Sequence, residues 1–278
     1  MTCKCIEDIL IIVVLYKIKI TECKSIQSIL TVLKGDPIEF LVYDNSPECN
    51  IGLTGDTALV KFNYVGDIKN SGVSKAYNLG AKLASDRKKK WLLLCDQDTE
   101  FTPDYFNSIC RIIYNFMPNL VAPYLFSNTQ MISPCAFTMN YGRPLKKMPL
   151  PGWATLNRIA LLNSGLIINR EAFEKCGGYD EKVFLDFSDF DFIKKYRKIV
   201  GKFYQMDVRL EHHLESVFKK DFNARRFIKY CQSYRGAIHN LFDFLSISTI
   251  VLVRTLKLSI QYRKISPIGY WIRYFIVN

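Results

Sequence analysis

Two carboxylates at alternate positions, Asp96 and Asp98, are the residues of this 278-residue chain whose spacing is most typical of metal chemistry. They directly follow an apolar run at residues 91–95, which has the length and composition of a buried strand. Where a strand leaves a sheet, one carboxylate can ligate a hard cation while the other binds a ligand hydroxyl or a metal-bound water. An Asp-x-Asp pattern alone also fits an acidic turn. The preceding strand and a second strand-end carboxylate, Asp44, favour the metal interpretation.

Residues 184–192 alternate apolar and acidic side chains, and Asp189 falls where a helix is expected to begin. A carboxylate at a helix start that aromatic rings partly desolvate suits a general base. The competing interpretation is that Asp189 or Ser188 simply caps the helix that follows. This segment alone does not separate the two.

His212 and His213 follow a predicted strand at residues 203–210, in a chain with three histidines. A neutral imidazole can serve as a third ligand beside carboxylates, which favours Mn²⁺ over Mg²⁺. A structural role for both histidines is the alternative.

The segment Asn70-Ser71-Gly72-Val73-Ser74 leads into a predicted helix that carries Asn78 and Gly80. Small residues allow close backbone approach, and amides at a helix start can meet a ligand. The spacing is not that of a GxxxxGK phosphate loop. Taken alone, the segment is better explained as a capped helix.

The elements that must position these residues alternate between strand and helix. Strands are predicted at residues 9–16, 38–43 and 91–95, and helices at residues 22–33, 74–83 and 103–116. Repeated units of this kind predict an α/β fold with a mostly parallel sheet covered on both faces. Ligands of such sheets bind beyond the carboxyl ends of the strands, so Asp44 and the Asp96/Asp98 pair are expected to face one crevice.

The second half of the chain is predicted to be less regular. Six prolines between residues 118 and 151 predict irregular loops over residues 118–160 that shape an acceptor pocket. Regular structure is expected at residues 161–169, followed by helices from 170 to about 176 and from 189 to 200. Basic and aromatic helices follow residue 220. The predicted organisation is therefore a catalytic domain at 1–220 and a helical C-terminal extension at 221–278.

Composition narrows the class of protein. A hydrophobic content of 49% is enough for a sizeable core. The net charge of +12 favours an anionic partner without choosing among nucleic acid, acidic lipid and phosphorylated substrate. The basic run at residues 87–90 lacks interleaved aromatic residues and is interpreted as a solvated loop.

Cysteine usage and hydropathy bear on the compartment. The nine cysteines are scattered and form no CxxC pair, which predicts reduced thiols in a cytoplasmic protein. The apolar run at residues 9–16 follows two acidic residues, so it is interpreted as a strand and not as a signal peptide. The uncharged stretch at residues 244–253 is too short to cross a bilayer.

In their order along the chain, these motifs resemble the family 2 inverting glycosyltransferases, especially a bacterial rhamnosyltransferase-like branch that decorates surface polysaccharides. The resemblance covers about residues 8–216. The segments that carry it are VVLYK (13–17), VYDNS (42–46), NSGVSKAYNLGA (70–81), LLLCDQDT (92–99), NSGLIINREAFEKCGGYDE (163–181), FLDFSDFDF (184–192) and the strand ending in HH (212–213). The fold implied is GT-A, a Rossmann-like, mostly parallel central sheet flanked by helices.

The resemblance also implies a role for each matching residue. Residues implied in donor binding are Asp44, Asn70, Gly72, Asn78, Asp96 and Asp98. Residues implied as ligands of Mn²⁺ or Mg²⁺ are Asp98, His212 and Asp96, and the alternative role implied for Asp96 is to bind the ribose. Asp189 would be the catalytic base and Asp191 its support. The sugar and acceptor site would contain Asn163, Ser164, Gly165 and, as a stacking platform, Trp153.

The reaction implied is direct displacement at the anomeric carbon with inversion. A sugar such as rhamnose or galactose would pass from a nucleotide-diphosphate donor to a saccharide or lipid-linked acceptor in surface polysaccharide synthesis. Asp189 would take the acceptor proton while the metal offsets the leaving group's charge. Two residues depart from the family pattern: Lys17 replaces an Asn, and Lys195 replaces an Arg whose planar fork it lacks.

Two other functions were weighed against this one. A sugar nucleotidyltransferase should carry a glycine-rich basic loop after its first strand, and residues 13–17 offer none. A non-catalytic nucleotide- or nucleic-acid-binding module gives no reason for Asp189 and the Asp-x-Asp pair to occur together. Nucleic acid is therefore not expected as a partner.

The C-terminal tail predicts a second kind of contact. Residues 249–264 form a basic amphipathic helix in which Arg254, Lys257, Gln261 and Lys264 share one face. Aromatic residues around Arg273 suit a membrane interface. We expect residues 249–278 to touch anionic lipid at the inner face of the cell membrane. The alternative is that this helix packs on the catalytic domain.

Overall fold

A ten-stranded mixed sheet forms the centre of the computed structural model, which describes residues 4–48, 56–213 and 221–277. The strands are β1 (Ile9–Leu15), β2 (Ile38–Asp44), β3 (Val60–Gly66), β4 (Trp91–Asp96), β5 (Thr99–Glu100), β6 (Leu120–Ser127), β7 (Gln130–Ser133), β8 (Cys135–Thr138), β9 (Tyr141–Pro144), β10 (Gly152–Thr155), β11 (Ile159–Ala160), β12 (Leu166–Asn169) and β13 (Lys202–His212). The helices are α1 (Lys4–Glu7), α2 (Lys24–Val32), α3 (Val73–Asp86), α4 (Pro103–Phe116), α5 (Arg170–Lys175), α6 (Ser188–Tyr196), α7 (Ala224–Gly236), α8 (Leu241–Tyr262) and α9 (Ser266–Trp271). A 3₁₀ turn (Ile20–Glu22) and a π-helical turn (Ile272–Val277) complete the described elements.

The order of the main sheet is β10-β13-β6-β12-β4-β1-β2-β3, with β5 paired to β13 and β7 to β6. Strands β3, β2, β1 and β4 are mutually parallel, which confirms the predicted α/β units. Strand β12 runs antiparallel to β4 and β6, and β13 is parallel to β6. Strands β11, β8 and β9 form a separate small sheet. The carboxyl ends of β2 and β4 therefore lie on one edge, where the sequence places its carboxylates.

Alternation of side chains along β1 divides the core into two layers. Leu10 and Ile12 belong to the cluster beneath α3, whereas Ile11 and Val13 belong to the cluster beneath α2 and α4. Both faces are covered, so every residue of this strand is buried. Helix α3 approaches the sheet closely at Gly80, where a Cβ atom would lie 2.3 Å from the Ile12 side chain.

The C-terminal helices share the core of the catalytic half. Phe227, Tyr230 and Cys231 of α7 are buried in the cluster that includes α3 and β4 residues, and Ile247 and Val251 of α8 join the same cluster. One face of α8 thus packs on the catalytic half, as in the alternative to membrane contact that the sequence left open. No helix among the described residues is both long enough and apolar enough to span a membrane.

The prediction of irregular loops over residues 118–160 was wrong, because that stretch contributes β6 to β10 and ends inside β11. The prolines are accommodated at ladder irregularities and sheet edges. Pro123 lies within β6 where the register with β13 shifts between Gln205 and Arg209, and Pro144 ends the edge strand β9. Two predicted boundaries also differ, since α6 ends at Tyr196 and the strand before α5 is only Leu166–Asn169.

The prediction that all cysteines are reduced thiols was also wrong. Cys5 of α1 and Cys110 of α4 form a disulfide, with Cα atoms 5.7 Å apart. The two residues are 105 positions apart and meet only because α1 and α4 pack together, so spacing in the sequence could not reveal the pair. Cys23, Cys95 and Cys135 are among the cysteines that remain free, and they are buried.

Two phenylalanines in the C-terminal helices test whether this region belongs to the catalytic core. Phe227 is 4% exposed and Phe242 is 56% exposed. We expect Phe227→Ala to lower the free energy of unfolding by about 3–5 kcal/mol, because it leaves a cavity in the shared core. The matched control Phe242→Ala should cost less than about 1 kcal/mol. Equal losses in chemical denaturation would show that α7 is not part of that core.

Candidate active site

The Asp-x-Asp turn meets His212 through strand pairing. Asp96 ends β4, and β5, which begins three residues later, pairs antiparallel with the end of β13, so that Thr99 lies opposite His212. Asp98 Oδ1 is consequently 3.3 Å from His212 Nδ1. One potential ligand atom from each of Asp96, Asp98 and His212 lies within 4.8 Å of the other two. The structure thus assembles the three ligands that the sequence suggested.

The electrostatics of this group favour a cation. Burial, followed by the charge of Asp98, raises the pKa of Asp96 to about 7, although the Tyr77 hydroxyl donates to Asp96 Oδ1 at 3.3 Å. Two carboxylates crowded into a poorly hydrated site repel each other unless a positive charge lies between them. Carboxylate oxygens with one imidazole nitrogen suit Mn²⁺, and the carboxylates alone suit Mg²⁺. The residues present therefore fit a divalent metal.

A residue at the start of α2 hydrogen-bonds to the backbone of the Asp-x-Asp turn. The Ser25 hydroxyl donates to the backbone carbonyls of Asp96 and Thr99, the latter at 2.9 Å. Gln97, between the two carboxylates, accepts a hydrogen bond from the Tyr16 backbone N–H at 2.7 Å through Oε1. The backbone of the turn is fixed before any ligand binds, which lowers the cost of ordering it.

The second acidic centre lies at the first turn of α6. Asp189 Oδ1 accepts hydrogen bonds from the Ser188 hydroxyl and from Asn163 Nδ2, each at 3.0 Å. The Tyr179 hydroxyl donates to Asn163 Oδ1 and so fixes the orientation of that amide. The preceding residue, Phe187, has a left-handed φ of 72°, which sets the abrupt entry into the helix.

The environment of Asp189 suits a group that exchanges a proton near neutral pH. Burial, followed by the charge of Asp96, raises the pKa of Asp189 to about 7. A carboxyl with that pKa is a stronger base than an ordinary Asp and is still ionised in a large fraction of molecules. The influence of Asp96 on Asp189 also shows that the two acidic centres lie within electrostatic reach of each other.

Residues Asn163 and Ser164 connect the two centres directly. Asn163 reaches Asp189, as described, while Ser164 Oγ accepts from the Asp96 backbone N–H at 3.0 Å. Ser164 Oγ is also 2.7 Å from Thr99 Oγ1, which is 2.7 Å from His212 Nδ1. These neighbours therefore position both the predicted base and the predicted metal ligands.

Gly165 allows this segment to lie close to the sheet. Its φ of +79° is left-handed, and a Cβ atom would lie 2.9 Å from Pro123 and 3.0 Å from Leu210. The Tyr105 hydroxyl donates to the Gly165 carbonyl at 2.7 Å. A side chain at this position would displace Asn163 and Ser164 from their partners.

The residues predicted to bind the donor base and phosphate lie at the ends of β2 and β3. Asp44 is buried, and its carboxylate accepts from the Ser46 N–H at 2.9 Å and from the Tyr64 hydroxyl at 2.8 Å. Asn70 has a left-handed φ of 53°, and its carbonyl accepts from Lys229 Nζ at 3.1 Å. Gly72, at the start of α3, is pressed against the acidic segment: a Cβ atom would lie 1.9 Å from the Phe184 carbonyl oxygen.

Three predicted site residues make their contacts outside the two acidic centres. Asn78 holds the backbone of Tyr179 through both ends of its amide, at 2.9 and 3.0 Å. Asp191 is buried with Oδ1 3.0 Å from His239 Nε2, so its observed partner lies in the C-terminal half. Trp153 pairs with Tyr204, eight residues before His212 on β13 and hence about 25 Å from the metal ligands. The structure does not bring Trp153 into the site.

Several residues that position the site were missed in the sequence. No sequence pattern points to Tyr77, Thr99 or Tyr179, because each acts through a hydroxyl whose partner is distant in the chain. Asp67 could have been found by the strand-end argument, since it directly follows β3. Burial acts to raise the pKa of Asp67, but hydrogen bonds from Tyr43 and Ser71 outweigh it and lower the pKa to about 2.

The C-terminal helices anchor the acidic segment at several points. Arg226 of α7 pairs with Asp186, with Nη2 2.7 Å from Oδ1. The Ser233 hydroxyl donates to the Asp186 carbonyl at 2.7 Å. On the other side of Asp189, Lys194 pairs with the buried Asp243 of α8. Helix α6 is thus held from both sides by α7 and α8.

The two departures from the family pattern have local explanations. Lys17 has a left-handed φ of 56°, a conformation that Asn adopts more readily than Lys, and its N–H donates to Ser46 Oγ at 2.7 Å. Lys195 Nζ donates to the Gly178 carbonyl at 2.6 Å. This contact uses the one ammonium nitrogen of Lys195, whereas an Arg would present a planar guanidinium fork.

Comparison with known proteins agrees with this geometry. Residues 58–237 match the family model described as "Glycosyltransferase like family 2". This chain belongs to that family. It is 22% identical over 170 residues to the dTDP-rhamnosyl transferase RfbF of Shigella flexneri, an alignment that covers 60% of this chain and 57% of that relative.

Solved structures establish the fold as GT-A. The TarS fragment 1–349 of S. aureus in complex with UDP-GlcNAc matches with a TM-score of 0.60 and 13% identity, over 96% of this chain and 79% of that one. The mannosyltransferase PcManGT of Pyrobaculum calidifontis, in complex with GDP-Man and Mn²⁺, matches with a TM-score of 0.54 and 14% identity, over 84% and 64%. Both predictions, the family and the GT-A fold with C-terminal helices, are confirmed.

Metal binding should appear in the stability of the protein. The pKa values of Asp96 and Asp189 in the folded protein, about 7, exceed the ordinary 3.8, so the folded state holds these protons more tightly than the unfolded state. Their contribution to stability is complete below about pH 4 and is lost as the pH rises through 7. Mn²⁺ at about 100 times its Kd should restore about 2.7 kcal/mol at pH 8 and much less at pH 5, where protons compete for the ligands.

The measurement is chemical denaturation at both pH values with and without Mn²⁺. We expect Asp98→Ala to abolish the increment due to Mn²⁺, and the exposed control Asp104→Asn to retain it. If Mn²⁺ still raises the stability of Asp98→Ala, the ion binds at a different site.

Proposed function

We propose that this protein is a metal-dependent inverting glycosyltransferase that moves a sugar from a nucleotide-diphosphate donor to a saccharide or lipid-linked acceptor. The observation that carries the proposal is the joining of two acidic centres by adjacent residues, Asn163 and Ser164. One centre offers two carboxylates and an imidazole for a metal, and the other offers a carboxyl whose pKa is raised to about 7. Sugar transfer with inversion requires these two groups on opposite sides of the anomeric carbon.

In this mechanism Asp96, Asp98 and His212 hold the divalent cation, Mn²⁺ or Mg²⁺. When bound, the cation supplies positive charge to the donor diphosphate as the glycosidic bond breaks. Asp189 Oδ2 accepts the proton of the attacking acceptor hydroxyl, while Oδ1 keeps its hydrogen bonds to Asn163 and Ser188. The new bond forms between the acceptor oxygen and the anomeric carbon, and the nucleoside diphosphate leaves.

The donor end of the site is assigned to the edge formed by β2 and β3. Asp44 is proposed to face the nucleotide base, and Asn70 and Gly72 the diphosphate side. Asp191 and Asn78 are proposed to support the site through His239 and the Tyr179 backbone. The relatives described above carry dTDP-rhamnosyl, UDP-GlcNAc and GDP-Man in their names. Rhamnose and other hexoses are accordingly the donors to screen first.

The remaining assignments follow from this reaction. Residues 1–220 are proposed as the catalytic domain, and residues 221–278 as an extension that braces α6. The acceptor is proposed to be a growing surface saccharide, on which the enzyme acts at the cytoplasmic side of the cell membrane. Contact of residues 249–278 with anionic lipid belongs to the same proposal.

The test is a screen of nucleotide-sugar donors for release of nucleoside diphosphate with Mn²⁺ or Mg²⁺, with and without membrane extract. We expect Asp189→Asn to lower kcat roughly 10²–10⁴-fold, because the amide cannot accept the proton. The acidic limb of kcat/KM, with a midpoint near pH 7 set by the raised pKa of Asp189, should be lost in that variant. Asp104→Asn serves as the control, and undiminished turnover in Asp189→Asn would refute the assigned base.

A further inference from the structure

Helix α8 has three distinct faces along its length. One face is fully buried against the catalytic half and includes Ile247, Val251 and Thr255. The face turned away from the protein is apolar. We define this outer face by the side chains that recur at spacings of about three and four residues, which are Leu241, Phe242, Leu245, Val253, Leu256 and Ile260.

The outer face is unusually apolar for a surface. Its six side chains are each between 44% and 78% exposed. From Leu241 to Ile260 it extends about 28 Å along the helix axis. Thr249 interrupts the stripe between Leu245 and Val253. An exposed apolar stripe of this length marks a site of interaction with another surface.

A basic margin runs beside the outer face. Lys257 follows Leu256 on α8, and Lys264 lies two residues after the end of the helix. Arg254 is on the side nearer α7, where its guanidinium is 4.6 Å from the centroid of the Tyr230 ring. Residues 244–278 contain five Arg or Lys and no Asp or Glu. The one acidic residue of α8, Asp243, is buried and paired with Lys194. The exposed surface of α8 thus offers apolar side chains, the cations of Arg254 and Lys257, and the neutral polar side chains of Thr249 and Gln261.

The aromatic residues near the C-terminus do not share this exposure. Tyr270, Trp271 and Tyr274 pack against the hydrophobic core, and Phe275 is buried in it. The sequence had grouped these rings with the membrane contact. In the structure these rings are partly or fully buried, so most of the exposed apolar surface of this region lies on α8.

We propose that the outer face of α8 lies in the interface of an anionic lipid bilayer, with the helix parallel to the membrane plane. An aliphatic stripe with a margin of Arg and Lys is the pattern of helices that insert their apolar side among acyl chains and leave cations at the headgroups. Pairing with a second copy of this chain would bring two basic margins together, so charge favours the bilayer over a dimer. The proposal rests on the proposed function, since it brings the active site to an acceptor carried by lipid.

The experiment is sedimentation of the full chain with vesicles of phosphatidylcholine alone and of phosphatidylcholine containing one-third phosphatidylglycerol. We expect binding to the anionic vesicles that weakens about tenfold or more in Leu245→Ser/Leu256→Ser/Ile260→Ser. Lys257→Gln/Lys264→Gln should weaken binding less and reduce its dependence on salt. The control is Leu150→Ser, which removes a leucine outside α8 that is 85% exposed.

Two outcomes would overturn the proposal. One is unchanged binding by the triple variant. The other is a wild-type dimer that the triple variant converts to monomer while neither form binds vesicles, because this result would assign the outer face to self-association. Release of nucleoside diphosphate from a donor in detergent-free buffer is measured in parallel. If the protein turns over a donor but does not bind vesicles, only the docking proposal is wrong. If it binds vesicles but turns over no donor, only the proposed reaction is wrong.

Discussion

The hydrogen bonds of two adjacent residues, Asn163 and Ser164, are the constraint on which the active site depends. One residue orients the carboxylate of α6 and the other fixes the backbone of the Asp-x-Asp turn. The two residues lie in the turn before β12, so one short segment of backbone holds both groups of the site. Gly165 lets that segment approach β6 and β13, and the sheet thereby sets the separation of the two acidic centres.

The C-terminal helices complete this arrangement from outside the α/β units. Helix α6 follows a left-handed residue, Phe187, and carries two largely buried charged groups, Asp191 and Lys194, which would be unfavourable without compensation. His239 and Asp243 provide that compensation from the segment that connects α7 to α8 and from α8 itself. The helices that carry the outer face are therefore also the helices that brace the predicted base.

The sequence predicted most of the fold and the main site residues, because apolar runs and strand-end carboxylates are local patterns. It failed where the outcome depends on pairing between distant segments. The strands at residues 118–160 were missed because prolines were taken as breaks, although Pro123 lies at a shift in register. The Cys5–Cys110 disulfide and the partner of Asp191 were missed for the same reason, and Trp153 was misplaced because its strand lies at the far end of β13.

The contact at Gly72 joins the two halves of the site through a backbone hydrogen bond and the hydroxyl of Ser74. The Val73 N–H donates to the Phe184 carbonyl at 2.8 Å, and the Ser74 hydroxyl donates to the Val183 carbonyl at 2.6 Å. No side chain fits between the loop before α3 and the segment before α6. Movement of one therefore carries the other with it, so occupancy at the nucleotide end can be communicated mechanically to the residue that receives the proton.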